Sequence, residues 1–258
     1  MKAIFPGTAS GIATKTRFHN IILLESDGHT LLLDGGEPLS TLLIRRDTNW
    51  ETVDGMVITH LHPDHAAALP QLLQTFQISQ RKNPFQVLLP SEGLSTYRDF
   101  LNMLYLFDLA LPYRLDLLGI SCDISQTIGS FSLDFSANLH LAGLSSLAKK
   151  QGLHNPGQSY SLSVTSENKR IVYSGDIRSA LELKPLLQAA PTDLLILEMA
   201  HFAPEEFLHL MKTCPVRKIV LTHFHPRLDI APDEQLRDIV AHHVEKVIFA
   251  EDGMEVEI

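Results

Sequence analysis

Six consecutive residues carry most of the chemistry open to this chain: His60-Leu61-His62-Pro63-Asp64-His65. They follow directly on the apolar run Val57-Ile58-Thr59. In extended backbone, residues two apart face the same side, so His60 and His62 can aim at one point. Pro63 turns the chain. Asp64 and His65 then open a helix, from which they can reach a second point close by. Three imidazoles and a carboxylate make a donor set of borderline softness, suited to Zn2+, Mn2+ or Fe2+. A solvated loop with incidental histidines would not concentrate them in this order.

The elements around the motif can be read from periodicity and turn chemistry. Phe18 to Glu25 and Thr30 to Asp34 form a hairpin across Asp27-Gly28. Ser40 to Arg46 is a short helix, Val53 to Thr59 a strand, and Ala66 to Gln77 a helix with Leu69, Leu72, Leu73 and Phe76 on one face. Gln86 to Leu89 is a strand and Leu94 to Phe107 a helix. The rhythm then repeats. Phe131 to Asn138 is a strand, and Ser159 to Ser166 with Arg170 to Ser174 a hairpin over Glu167-Asn168-Lys169. Ala180 to Ala189 is a helix, Leu194 to Glu198 a strand, Pro204 to Lys212 a helix and Lys218 to Thr222 a strand. Asp233 to His243 is a helix, and Val247 to Ala250 and Glu255 to Ile258 are closing strands. Leu141 to Pro156 reads as a loop or mobile insertion. The apolar run Leu104 to Leu111 reads first as a core helix, with a lid or dimer face as alternatives. Two halves of this kind suggest two sheets packed face to face with helices outside.

The run His60 to His65 resembles the His-x-His-x-Asp-His signature of the metallo-β-lactamase superfamily, and the likeness extends along nearly the whole chain. Phe5-Pro6-Gly7-Thr8-Ala9-Ser10-Gly11 with Thr14 to Arg17 is similar to the N-terminal turn of the ribonuclease Z branch. Leu33-Asp34-Gly35-Gly36-Glu37 is similar to the early Asp-Gly motif, Ser174-Gly175-Asp176 to the bridging-aspartate motif, and Leu221-Thr222-His223-Phe224 to the last histidine motif. Each is weak alone; five in order are specific. The resemblance implies an α/β (α+β) fold, a four-layer αββα sandwich of two mixed β-sheets, formed as a single domain over residues 1–258. It implies two divalent metal ions, Zn2+ foremost. His60, His62 and a later histidine would bind the first. Asp64, His65 and His223 would bind the second, Asp176 would bridge both, and Asp34 would orient the loop. The later histidine is His140 or His154, and His140 is favoured because it follows a strand. Taken alone, Asp176 could instead cap a helix, and His223 could be a satisfied core histidine.

The ribonuclease Z branch carries His-Glu-Ala-Thr where this chain has Leu197-Glu198-Met199-Ala200-His201. Glu198 matches and Leu197 replaces the histidine. His201 and His225 are therefore both candidates for proton donor. The implied activity is a metal-dependent hydrolase, in which a hydroxide activated by two metals attacks phosphorus or a carbonyl carbon. A phosphodiesterase acting on a small phosphodiester or nucleotide is the first expectation. Endonucleolytic processing of tRNA 3′ ends, lactone or thioester hydrolysis and a non-catalytic metal-containing binding role are the alternatives.

Composition bounds the partners. The formal net charge is −9, and no Lys/Arg-rich arm is evident, so extended nucleic-acid binding is not expected. No apolar run is long enough to cross a membrane, and the N-terminus is not a secretory signal. The expected address is the cytoplasm, with Cys122 and Cys214 as reduced thiols. A homodimer is compatible with the apolar run near Leu104.

Overall fold

The computed structural model describes residues 1–214, 216–227 and 247–258. The first half of the chain supplies strands β1 (Lys2–Gly7), β2 (Ile21–Ser26), β3 (His29–Leu33), β4 (Val53–Val57), β5 (Phe85–Leu89) and β6 (Leu115–Gly119). The second half supplies β7 (Gln126–Ile128), β8 (Phe131–Ala137), β9 (Tyr160–Ser166), β10 (Lys169–Tyr173), β11 (Thr192–Glu198), β12 (Val216–Thr222), β13 (Val247–Phe249) and β14 (Met254–Glu257). One seven-stranded sheet runs β14-β1-β2-β3-β4-β5-β6 and the other β13-β12-β11-β10-β9-β8-β7. Helices α1 (Leu39–Arg45), α2 (Pro63–Ala66), α3 (Leu69–Ile78) and α4 (Leu94–Met103) follow strands of the first half. Helices α5 (Ala142–Lys150), α6 (Lys184–Ala189) and α7 (Pro204–Thr213) follow those of the second.

The strands are apolar on both faces because each face meets a different layer. In β2, Ile22 and Leu24 join the core between the sheets, while Ile21 and Leu23 pack with α1 and α3. In β11, Leu194 and Ile196 face the other sheet, and Leu195 and Leu197 face α6 and α7. The four-layer αββα arrangement follows from this pattern.

Both predicted hairpins form. The second turns at Glu167 and Asn168, both at positive φ, which suits the twist of the flanking strands. Other expectations are corrected. The helix expected over Ala66 to Gln77 is two helices, broken at Ala67 and Ala68, with α3 restarted by Pro70 in its first turn. The helix expected to Phe107 ends at Met103, and Tyr105 adopts φ 61°. Leu104 to Leu111 is therefore not a core helix: Leu106 and Leu111 are buried, but Tyr105, Phe107 and Leu109 are exposed. Leu141 to Pro156 contains α5 rather than only loop. Strands β1, β6 and β7 were not anticipated. The helix expected over Asp233 to His243 lies outside the described residues. Among the described residues no helix is long and apolar enough to cross a membrane. Both cysteines are free thiols, Cys122 exposed and Cys214 buried.

Behind β4 and β5, the side chain of Arg81 is fully enclosed. It donates to the carbonyls of Val53 (2.7 Å), Asn83 (2.9 Å) and Pro84 (2.9 Å). Its guanidinium lies over the rings of Phe76 and Phe85, at 4.8 and 5.6 Å. It thereby fixes the strand that leads into the histidine run. Replacing it would leave buried carbonyls unsatisfied and open a cavity, so Arg81→Ala should lower unfolding free energy by about 3 kcal/mol. Chemical denaturation measures this; a loss below about 1 kcal/mol would show that Arg81 is dispensable.

Candidate metal centre

The polar cluster sits just beyond the C-terminal ends of strands from both sheets, where open α/β sheets gather their binding groups. Asp34 follows β3, His60 to His65 follow β4, and His140 follows β8. Asp176, Glu198 and His223 follow or end β10, β11 and β12. Asp34 and His223 adopt positive φ, 57° and 55°, the left-handed region that non-glycine residues enter uncommonly. Gly175 also has positive φ (54°), and a Cβ there would lie 2.6 Å from the Tyr160 carbonyl. Only glycine lets the chain place Asp176 where it is.

Two groups of donor atoms result. His60 Nε2 and His140 Nε2 each lie close to His62 Nδ1, at 3.1 and 3.2 Å. They lie 3.8 and 3.7 Å from Asp176 Oδ2. In the second group, His65 Nε2 is 3.2 Å from His223 Nε2 and 3.3 Å from both Asp64 Oδ2 and Asp176 Oδ1. His223 Nε2 is 3.5 Å from Asp64 Oδ2 and 3.4 Å from Asp176 Oδ1. A tetrahedral shell with arms of about 2.0–2.2 Å has donor–donor edges of roughly 3.3–3.6 Å. The second group lies close to this spacing, the first straddles it at 3.1–3.8 Å, and Asp176 gives one oxygen to each. Asp176 Oδ1 is buried without a hydrogen-bond partner, which is costly unless a cation satisfies it. The donor set and its geometry fit a pair of divalent ions.

Neighbouring groups set the ring tautomers. Asp34, fully buried, accepts from Thr59 N (2.7 Å), Thr59 Oγ1 (3.0 Å), Tyr173 Oη (2.7 Å) and His65 Nδ1 (2.8 Å). The proton on His65 Nδ1 thus points at Asp34, and Nε2 faces the cluster. Thr59 Oγ1 gives its proton to Asp34 and so accepts from His60 Nδ1 at 3.2 Å, which directs His60 Nε2 the same way. Tyr173 Oη accepts from Asn20 Nδ2 (2.8 Å), and Asn20 Oδ1 accepts from Thr222 (3.1 Å). Asn20, Thr59 and Tyr173 went unread in the sequence because each is an ordinary residue at a strand end.

Ionisation follows the same arrangement. Burial pushes His60 well below the usual imidazole range and His140 down to about 4. Both are therefore neutral and able to donate a lone pair. Burial also opposes charge on His65, but Asp176 and Asp34 outweigh it and raise that imidazole. Burial likewise opposes charge on Asp64 and Asp176, yet contacts with His223 and His65 hold both well below the carboxylate range. A cluster that holds a proton between two carboxylates is one that calls for positive charge.

The remaining candidates separate. His201 Nδ1 donates to Glu198 Oε1 at 3.0 Å and lies 3.7 Å from Asp176 Oδ2. Glu198 also accepts from the backbone N–H groups of Ile177, Ala200 and His201. His225 is exposed and accepts from Arg227 N. His154 is exposed in the stretch after α5, and His140 is the one brought to the cluster. Leu197 turns away from the site into the α6–α7 layer.

A ribonuclease Z from Methanosarcina acetivorans is 27% identical over an alignment covering 100% of this chain and 98% of the relative. Among solved structures, the metallo-β-lactamase fold protein YhfI from Bacillus subtilis superposes with a TM-score of 0.78 at 18% identity, covering 100% and 98% of the two chains. The short form of human tRNase Z gives 0.73 at 21% identity, covering 100% and 99%. The chain is a metal-dependent hydrolase of the metallo-β-lactamase fold, on the ribonuclease Z-like side of that superfamily. It belongs to the family described as Anti-Pycsar protein Apyc1, whose model matches residues 1–242.

These relatives correct the expectation that extended nucleic-acid binding is unlikely, since proteins named for action on RNA align with the full length of this chain. Net charge misled because it averages over the surface. The count of −9 includes the buried Asp34 and Asp176 and the half-buried Asp64, gathered around a centre that a metal pair would make locally positive.

Tyr173→Phe keeps the packing and removes the proton given to Asp34. It should weaken metal binding about tenfold, chiefly in the group containing His65. Titration with a chelating competitor measures this; unchanged affinity would show that Tyr173 only packs.

Proposed function

We propose that this chain is a phosphodiesterase using two divalent metal ions, zinc foremost with Mn2+ or Fe2+ as alternatives, and that its substrate is a small phosphodiester or nucleotide, cyclic nucleotides included. One observation carries the reading: a single buried carboxylate, Asp176, offers an oxygen to each of two adjoining groups of four donors. His60, His62, His140 and Asp176 would hold the first ion, and Asp64, His65, His223 and Asp176 the second. When bound, such a pair supplies a nucleophile at neutral pH from a water whose pKa it lowers, and Lewis acidity for the oxygens of the reacting group.

The chain's own groups do the rest. Asp64 and Asp176 accept hydrogen bonds from the attacking water and hold it in line. His201 is exposed beside the cluster, with its Nδ1 proton committed to Glu198. Its Nε2 is left to deliver a proton to the leaving oxygen. Burial opposes protonation of His201, but the hydrogen bond and charge of Glu198 outweigh it and raise the imidazole.

A second reading, endonucleolytic processing of tRNA 3′ ends, is supported by the ribonuclease Z name of the full-length relative. The bond broken is again a phosphodiester. Metal-loaded protein should therefore be assayed on 3′,5′-cyclic nucleotides, 3′-extended tRNA, bis(p-nitrophenyl) phosphate, lactones and thioesters. The expected result is turnover of diesters that a chelator abolishes and added metal restores. Turnover confined to lactones or thioesters would contradict the reading.

The proton-donor role has its own test. His201→Ala should lower kcat on a cyclic nucleotide, whose leaving alkoxide needs a proton, by about 10²-fold or more. The loss on bis(p-nitrophenyl) phosphate should be much smaller, because nitrophenolate leaves without one. Equal losses on both would contradict the role.

A further inference from the structure

His65 and His60 have their rings oriented by a partner on Nδ1, Asp34 for the one and Thr59 for the other. His223 does not. Its Nδ1 is buried without a hydrogen-bond partner among the described residues, and Glu198 Oε2 stands 4.0 Å away. Its backbone also sits at φ 55°, which residues with a side chain adopt uncommonly. A ligand held by neither a ring partner nor a relaxed backbone must be held through its neighbours. Phe224, the next residue, supplies that hold. Phe224 N donates to the Thr8 carbonyl (2.9 Å), and Ser10 N donates to the Phe224 carbonyl (3.0 Å). Ala9 and Phe224 thereby pair as a parallel bridge. The N-terminal turn, whose residues the metal centre itself leaves unused, is thus tied to the chain beside His223.

Three side chains lock that turn in place. Thr8, fully buried, donates its hydroxyl proton to Asp252 Oδ1 (2.6 Å) and accepts from Arg17 Nη1 (2.5 Å). Arg17 Nη1 also donates to the Ala250 carbonyl (2.7 Å). Its guanidinium lies over the Phe224 ring, 4.7 Å from the centroid. Asp252 Oδ2 accepts from Phe18 N (2.6 Å), and the Phe18 carbonyl accepts from Ala9 N (2.8 Å). The lock joins the N-terminal turn, the residue after His223 and the turn between β13 and β14. Phe224 is buried, and its ring stacks on that of Phe249 in β13 at 6.2 Å. The same N-terminal turn reaches a second ligand: a Cβ on Gly11 would lie 3.5 Å from Asp64 Oδ2. Both contacts fall on the group formed by Asp64, His65, His223 and Asp176.

We propose that Thr8, Arg17 and Asp252 are positioning residues for His223. Through it they set the metal affinity of the group that contains His223, and they leave the group of His60, His62, His140 and Asp176 unaffected. A donor set holds its ion only while its atoms stay within about half an ångström of their places. Groups that orient a ligand from behind carry roughly 10- to 100-fold of that affinity. Arg17 suits the task because a planar guanidinium can stack on Phe224 and still donate in its own plane to Thr8 and Ala250. The inference rests on the two-metal reading of the centre and assigns one of its two groups a support of its own.

The test uses the full-length chain in two backgrounds, with zinc alone as the probe and a chelating dye as competitor. His62→Ala impairs the first group and Asp64→Ala the second, so each background reports the group left intact. Arg17→Ala, and Thr8→Val, which removes the hydroxyl and keeps the size, are added to each. Both should weaken zinc binding about tenfold in the His62→Ala background and leave it unchanged in the Asp64→Ala background. Thr8→Ser keeps a hydroxyl and should bind zinc as the His62→Ala parent does. Equal weakening in both backgrounds would show that the lock only supports the fold, and no weakening in either would show that it does not act on the metals. Each result overturns the proposal, as does Thr8→Ser binding as weakly as Thr8→Val. If Arg17→Ala does not fold, the two Thr8 variants decide. If Thr8→Val does not fold either, the lock is a fold support and the proposal fails. Absence of zinc from both parent backgrounds would overturn the two-metal reading, and the proposal with it, before any lock residue is changed. Diester turnover plays no part in the readout, so failure of the phosphodiesterase reading leaves the result intact.

Discussion

A carboxylate ringed by imidazoles in the protein interior needs positive charge to be stable. Asp176 is that carboxylate. It lies near Nε2 of His60, His65, His140 and His223, and its Oδ1 has no hydrogen-bond partner. A buried anion without enough positive charge around it costs several kcal/mol. The rest of the structure reads as the means of bringing its neighbours close: two sheets whose strand ends converge, a glycine that permits the approach, and strained backbone at Asp34 and His223.

The two sheets are linked through this point as much as by their shared apolar core. Tyr173 ends β10 within the core between the sheets and gives its proton to Asp34, which follows β3 of the opposite sheet. Asp34 in turn sets His65 and, through Thr59, His60. A change in sheet packing would therefore be felt at both donor groups. A binuclear site has this requirement, because its ligands come from distant parts of the chain and their separation must hold to a few tenths of an ångström.

Much of the centre was legible because its ligands are contiguous. His60, His62, Asp64 and His65 lie within six residues, and Asp176 and His223 sit in recognisable turns after strands. His140 was harder, since only its place after β8 set it apart from His154. The residues that orient the ligands were invisible for a physical reason. Asn20 and Tyr173 act through contacts between the sheets, Thr59 through the neighbouring strand end of its own sheet, and their types are common at strand ends. The run from Leu104 to Leu111 was misread because hydrophobicity alone does not distinguish a core helix from exposed turns. Leu197 was legible only as a departure; the alternation along β11 turns it into the helical layer, away from the metal centre.

The most direct test of the account is anomalous scattering from crystals of the zinc-loaded protein, recorded on both sides of the zinc edge. The account predicts two peaks, one enclosed by His60, His62, His140 and Asp176 and the other by Asp64, His65, His223 and Asp176. No peak among these residues after full reconstitution, or a single peak that leaves Asp176 uncoordinated, would contradict it.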